Sequence, residues 1–215
     1  MIVTLLERQK GRRRVNVHLD GAFAFSVAAD VALQHGLREG QRLADADVEA
    51  LRDADARQRC VQSALRLVAR RPRSERELRD ALRRRRFDRD HIDAAVSRLR
   101  AMGYLDDAAF ARFWVETRDA SSPRSRRLLK AELRSRGVEA PTATEATVGI
   151  EDEDAAVRAA SRRLRAFAGL DEETFRRRLG GFLLRRGFSY AVAERVVSRC
   201  WREIAETEAD AEDGR

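Results

Sequence analysis

The side chains whose type and spacing could do chemistry in this chain of 215 residues are its arginines. Arg76, Arg79, Arg83 and Arg86 recur at intervals of three and four, which on a helix sets them along one face, away from the Leu78/Leu82 stripe. A second group, Arg124, Arg126, Arg127, Lys130, Arg134 and Arg136, falls within PRSRRLLKAELRSR with a single acid among them. A guanidinium stays charged and presents a planar fork of donors that fits carboxylates and phosphates, so the chemistry on offer is anion recognition. The first face can neutralise part of its own charge, because Glu75–Arg79 and Asp80–Arg84 pair at i,i+4. The second cannot. It also places cations at a helix start, where the dipole disfavours them, and that points to an anionic partner.

Other chemistries lack their constellations. His18, His35 and His91 lie in unrelated segments without metal-ligand spacing, and neither GxxxxGK[ST] nor GxGxxG occurs. The expectation is therefore a protein that is not an enzyme, with no catalytic, cofactor-binding or metal site and with structural histidines. Gly180-Gly181 reads as a close-packing point or kink in a helix, and Trp114 and Trp201 as core residues. Cys60 and Cys200 form neither a metal motif nor a disulfide framework, so a reducing cytoplasm is the default location. No basic-then-apolar leader opens the sequence and no apolar run could span a membrane.

Composition agrees with a basic binding protein. Hydrophobic residues make up 43% of the chain, enough for a core, and charged residues 37%, with a net charge of +8. The surplus is local: residues 57–140 carry 23 basic and 12 acidic side chains, whereas residues 206–215 carry 1 and 5. Few prolines and many Ala, Leu, Arg and Glu favour helix.

The elements that position these residues follow from periodicity. Val15, Val17 and Leu19 alternate before Asp20-Gly21, and Phe23, Phe25 and Val27 after it, which predicts a β-hairpin. Short helices are expected near Ala29–His35 and Asp45–Asp53, with Asp45 as a cap. From Arg57 to Ala205 the pattern is helical. Aligned with itself, the chain gives LRDALRRRRF, LKAELRSRGV and LGGFLLRRGF at offsets of 51 and 50, the mark of three tandem helical units. Each copy ends a helix: a leucine at C3, a left-handed C′, then an apolar C″ at Phe87, Val138 or Phe188, as in a Schellman motif. Gly137 and Gly187 occupy C′ in two copies, but Arg86 stands there in the first, at a cost of roughly 1–2 kcal/mol. Ser74, Asp106 and Asp171 read as N-caps. The segment after Val138 is a weak helix at best. The expected boundaries are 1–56 for the hairpin and short helices, 57–106, 107–151 and 152–205 for the helical repeats, and 206–215 for an acidic, disordered tail.

The stretch SALRLVARRPRSERELRDALRRRRFDRDHIDAAVSRLRAMGYLDDAAFARFWVETR resembles the signature region of the RecX family, bacterial regulators of the RecA recombinase. The most specific pieces are RPRSERELRDAL and GYLDDAAFA, and the match continues through RRLLKAELRSRGV and FLLRRGFSYAVAERVV. It covers roughly residues 57–205, and the hairpin segment is similar to an N-terminal extension of longer members. Arg86 departs from the usual glycine. The resemblance implies a mainly α fold of three tandem three-helix repeats in an elongated, curved body, preceded by the small β-hairpin-containing segment. It also implies binding in the groove of the RecA–DNA filament and restraint of ATP hydrolysis, strand exchange and SOS co-protease activity. The ten cations named above are then the candidate partner-binding residues. Some weak, salt-sensitive binding to single- or double-stranded DNA is expected as well, and a monomer is the simpler assembly. The competing reading is a freestanding helical DNA- or RNA-binding protein that needs no RecA.

Overall fold

A computed structural model describes every residue except Arg12, Ala168, Gly214 and Arg215, and side chains as far as Glu206. The N-terminal segment forms three antiparallel strands in the order β1 (Val3–Arg8), β2 (Arg14–Leu19) and β3 (Ala22–Ala28). Asp20 and Gly21 turn the β2–β3 hairpin with φ of 51° and 88°, the left-handed pair that matches strand twist. Val15, Val17 and Leu19 are buried opposite Val27, Phe25 and Ala22. Phe23 departs from the expected alternation. The register shifts between Val17 and His18, so Phe23 pairs with His18 on the outer face and is 60% exposed.

After the short α1 (Ala29–Gln34) comes α2, one helix from Asp45 to Val68. The expected break near residue 57 does not exist, because DADAR holds no stop signal and the apolar stripe runs on from Val48 and Leu51 to Cys60, Val61, Ala64 and Leu67. Nor does Asp45 cap this helix. Ala44 is the N-cap, and its N–H is met by the Asp47 carboxylate at 2.8 Å. Buried Asp55 fixes α2 to the sheet: it accepts from Arg14 through both carboxylate oxygens at 3.0 Å and from the Ala28 N–H at 2.7 Å. The second half of α2 packs with α3 (Glu75–Arg84) and α4 (Arg89–Ala101) around Leu78, Leu82, Ile92, Val96 and Leu99. His91 is buried and bonded to Asp53 at 2.7 Å, joining α4 to α2. That bond, then Arg57 nearby, holds the Asp53 carboxyl below its ordinary value despite the cost of desolvation.

Residues 1–105 make one compact unit and residues 106–215 a second. The second holds α5 (Asp107–Ser121), α6 (Arg126–Ser135), α7 (Ala140–Ala146), α8 (Asp152–Ser161), a 3₁₀ turn at Leu164–Phe167, α9 (Glu172–Arg185) and α10 (Tyr190–Asp213). Its core centres on Phe110, Leu129, Leu133, Phe175, Leu179 and Leu183. The weak segment after Val138 becomes the seven-residue α7, with proline in its first turn and no side-chain cap. The tail expected to be disordered from Glu206 instead continues α10 as helix to Asp213. Its Ala and Glu residues extend a helix already nucleated, which costs far less than starting one.

The repeat grammar is physical. Ser74, Ser125 and Asp171 each accept the N–H three residues on, from Glu77, Leu128 and Thr174. Phe87, Val138 and Phe188 each donate their N–H to Leu82, Leu133 and Leu183, closing three Schellman motifs. Arg86 has φ of 61° at the C′ position, and with Asp20 it is one of two non-glycine residues at positive φ among the described residues. Arg86→Gly should therefore stabilise the protein by about 1 kcal/mol, the left-handed cost less the flexibility glycine adds to the unfolded chain. The check is a higher urea midpoint at unchanged slope.

Candidate anion-binding surfaces

The ten candidate cations do not form one site. On α3, Arg76 is exposed, whereas Arg79 bonds to Glu75 at 2.8 Å and to Asp93 on α4. Burial works against the Arg79 charge, but these two carboxylates outweigh it and hold the guanidinium above its ordinary value. Asp93 is in turn held below the ordinary carboxylate range by Arg79. Arg83 bonds to Asp80 at 2.6 Å, and Arg86 is exposed. A groove of about 490 Å³ lies here between Arg79, Arg83, Phe87, Arg89, Ile92 and Asp93, with an acid among its walls.

The α6 group divides. Arg124 forms an ion pair with Glu132, which also accepts from Trp114 Nε1 at 2.8 Å and Arg118 Nε at 3.1 Å. Trp114 packs against two cations, Arg136 at 3.7 Å and Arg118 at 4.4 Å from its ring centroid. Burial, then Arg118 and Arg186, pull the Arg124 guanidinium below its ordinary value. Arg126 ties the start of α6 to the start of α8 and the two residues before it. Its backbone N–H donates to Asp152 at 2.7 Å, and its guanidinium donates to the Ile150 carbonyl and Glu151. Arg124, Arg126 and Arg136 are thus committed to internal bonds.

Arg127, Lys130 and Arg134 are different. They lie at i, i+3 and i+7 on α6, outside the Leu129/Leu133 stripe, and among the described residues no carboxylate pairs with them. They occupy the positions of Arg76, Arg79 and Arg83, 51 residues earlier, so one surface pattern appears in two consecutive repeats. The helix start is the sharper contrast. α3 opens with Glu75 and Glu77 and α9 with Glu172 and Glu173, whereas α6 has no acid in its first turn and carries Arg126 and Arg127 there.

Two features escaped the sequence reading. Arg85, Arg136 and Arg186 are equivalent C-cap residues, and each folds its guanidinium back onto the protein, Arg85 onto Ser63, Arg136 onto Trp114 and Arg186 onto Ser122 and Phe182. The third repeat also carries its own cationic groove, about 430 Å³, between Arg163, Phe167, Arg177, Arg178, Phe182 and Arg185. The arginines of FRRRLGGFLLRR are the signal that the sequence offers for it. Among the described residues no helix is long and apolar enough to cross a membrane, and no group of three or more potential ligands could hold a metal. Burial raises the Cys60 thiol to about 11 and pushes Cys200 upward, which disfavours the reactive thiolate at both.

Comparison with known proteins gives a consistent picture. Family models match along the chain in order: the regulatory protein RecX N-terminal domain at residues 1–44, and the first, second and third RecX three-helix domains at residues 60–99, 106–146 and 151–197. The regulatory protein RecX of Thermobifida fusca is 43% identical over 148 residues, 67% of this chain and 79% of the relative. That of Bacillus pumilus is 28% identical over 203 residues, 93% of this chain and 77% of the relative. A crystal structure of regulatory protein RecX superposes with a TM-score of 0.70 at 23% identity, covering 91% of this chain and 98% of that one. The crystal structure of RecX from Lactobacillus salivarius gives 0.57 at 21% identity, covering 68% and 97%.

Proposed function

The chain belongs to the RecX family of regulatory proteins, and we propose that it binds the RecA–DNA filament through the cationic faces of its helical repeats and restrains the filament's activity. One observation carries the reading: the Arg127/Lys130/Arg134 triad, its charge uncompensated, repeats the geometry of Arg76/Arg79/Arg83 one unit earlier. A charge pattern that recurs in successive repeats of the sequence suits a partner that repeats its own surface, and contacts spread over several protomers gain avidity without a deep pocket. Binding in the groove of the filament would bridge neighbouring protomers. ATP hydrolysis, strand exchange and co-protease activity, which need the filament to change or expose its surface, would fall together. No step requires a bond to be made or broken by this chain.

The test is RecA's single-stranded-DNA-dependent ATPase rate as the protein is titrated in. Inhibition is expected at concentrations too low to coat the DNA. An ATPase rate that falls only as the strand saturates would support the second reading, a nucleic-acid-binding protein that competes for the DNA. Arg163, Arg178 and Arg185, with which no carboxylate pairs among the described residues, favour that reading more than any feature of the first unit does.

A further inference from the structure

The groove of the third repeat has walls of two chemistries. Arg163 follows α8, Phe167 closes the 3₁₀ turn, and Arg177, Arg178, Phe182 and Arg185 come from α9. The four cations have no acidic residue among them in the lining, unlike the α3–α4 groove, where Asp93 answers Arg79. Of the acids at the start of α9, Glu172 is taken by Arg176 at 2.7 Å, and Glu173 reaches Arg177 only at 3.9 Å with both side chains largely exposed. Among the described residues, no carboxylate pairs with Arg163, Arg178 or Arg185.

The aromatic wall is fixed and half-exposed. Phe167 is anchored edge-on to buried Phe175, with ring centroids 6.3 Å apart. Phe182 is flanked by two guanidinium groups, Arg186 at 4.5 Å and Arg163 at 5.3 Å from its centroid. Arg186 is held from behind by Ser122 and the Pro123 carbonyl, whereas Arg163 is exposed and can leave the ring. A Cβ at Gly181 would stand 3.3 Å from the Arg185 guanidinium, so this helix turn is free of side-chain bulk beside that cation. Burial, then Arg163, Arg118 and Arg162, lower the Arg186 guanidinium from its ordinary value, as expected where positive charge lacks a counter-ion.

We propose that this groove is a binding site for one nucleotide of a single-stranded nucleic acid, with a base stacked on Phe182 in place of Arg163 and the flanking phosphates held by Arg163, Arg178 and Arg185. Its volume lies within the usual range of small-ligand sites, roughly 300–1,000 Å³. An acidic peptide would satisfy the arginines but leave the ring unused. A strand uses both, because every base has a π-face and every linkage a charge. The site deepens the DNA-contact part of the function proposed above and fails separately from it, since its test contains no RecA.

The experiment measures fluorescence anisotropy of a short labelled oligothymidylate, and of an abasic strand of the same length, titrated with the full chain. Phe182→Leu should weaken binding to the oligothymidylate about tenfold and leave the abasic strand unchanged, and Phe182→Trp should retain binding to both. Arg178→Ala with Arg185→Ala should weaken both strands alike and reduce the salt slope by about 1.4, at roughly 0.7 per phosphate contact. If Phe182→Leu does not fold by circular dichroism, the tryptophan and double-arginine variants still decide. Equal loss on the two strands from Phe182→Leu, or an unchanged salt slope in the double-arginine variant, overturns the proposal. So does polyglutamate displacing the strand as well as unlabelled oligothymidylate does, which would make the groove an acidic-peptide site.

Discussion

Reversing Arg127, Lys130 and Arg134 to glutamate should abolish inhibition of RecA at concentrations where the unaltered protein inhibits fully. Each exposed pair lost removes about 0.2–1 kcal/mol, and like-charge contact adds a repulsion of similar size, so three reversals should cost on the order of a hundredfold in affinity at low salt. Added salt should shrink the difference, because these contacts are screened. Stability should barely move. Arg127 sits in the first turn of α6, where glutamate gains about 0.3–1 kcal/mol from the dipole, and Arg134 in the last turn, where glutamate loses a similar amount. A variant that binds worse and melts no lower separates lost contact from lost fold. Arg124 and Arg126 would be the wrong residues to reverse, because Glu132, Ile150 and Glu151 already hold them and their loss would disturb the repeat itself.

Gly187→Ala should cost about 2–5 kcal/mol, from roughly 1–2 for a left-handed alanine and roughly 1–3 for overpacking. Gly187 has φ of 87°, and a Cβ there would stand 2.6 Å from Ser125 Oγ and 2.7 Å from Leu128 Cβ. Both of those atoms are rigid. Ser125 caps α6 through the Leu128 N–H, and its own N–H donates to the Arg186 carbonyl at 3.1 Å, so the end of α9 lies directly on the start of α6. Relief of the clash would have to break that cap. The equivalent position in the first repeat carries Arg86, exposed, at the backbone cost alone. Urea unfolding followed by circular dichroism measures the loss. A change of only about 1 kcal/mol would mean that α9 and α6 separate without cost.

Most of the helical architecture could be read from local rules that act within a turn or two. The leucine at C3, the left-handed C′ and the apolar C″ are set by backbone hydrogen bonding, so self-similarity at offsets of 51 and 50 residues located three helix ends and exposed Arg86 as the exception. The break expected near residue 57 went against a local signal, the apolar stripe that runs from Val48 to Leu67, whereas the tie of that helix to the sheet through Asp55, Arg14 and Ala28 depends on partners distant in sequence. Phe23 looked like a core residue by alternation, and a register shift against β2 turned it outward. Candidate cations were legible as a composition but not as a site. Spacing puts Arg79 and Lys130 in equivalent places, yet only Arg79 meets an acid from the next helix, Asp93. Arg163 lies far from Phe182 in sequence and stacks on it only once the 3₁₀ turn has brought α8 back to α9.

The most direct test of filament regulation is the affinity of the full chain for an oligonucleotide coated with RecA, compared with the same bare strand at matched salt. Targeting of the filament predicts tighter binding to the coated strand, with the preference lost when Arg127, Lys130 and Arg134 are reversed. Equal or weaker binding to the coated strand would contradict it and leave a protein that reads nucleic acid alone.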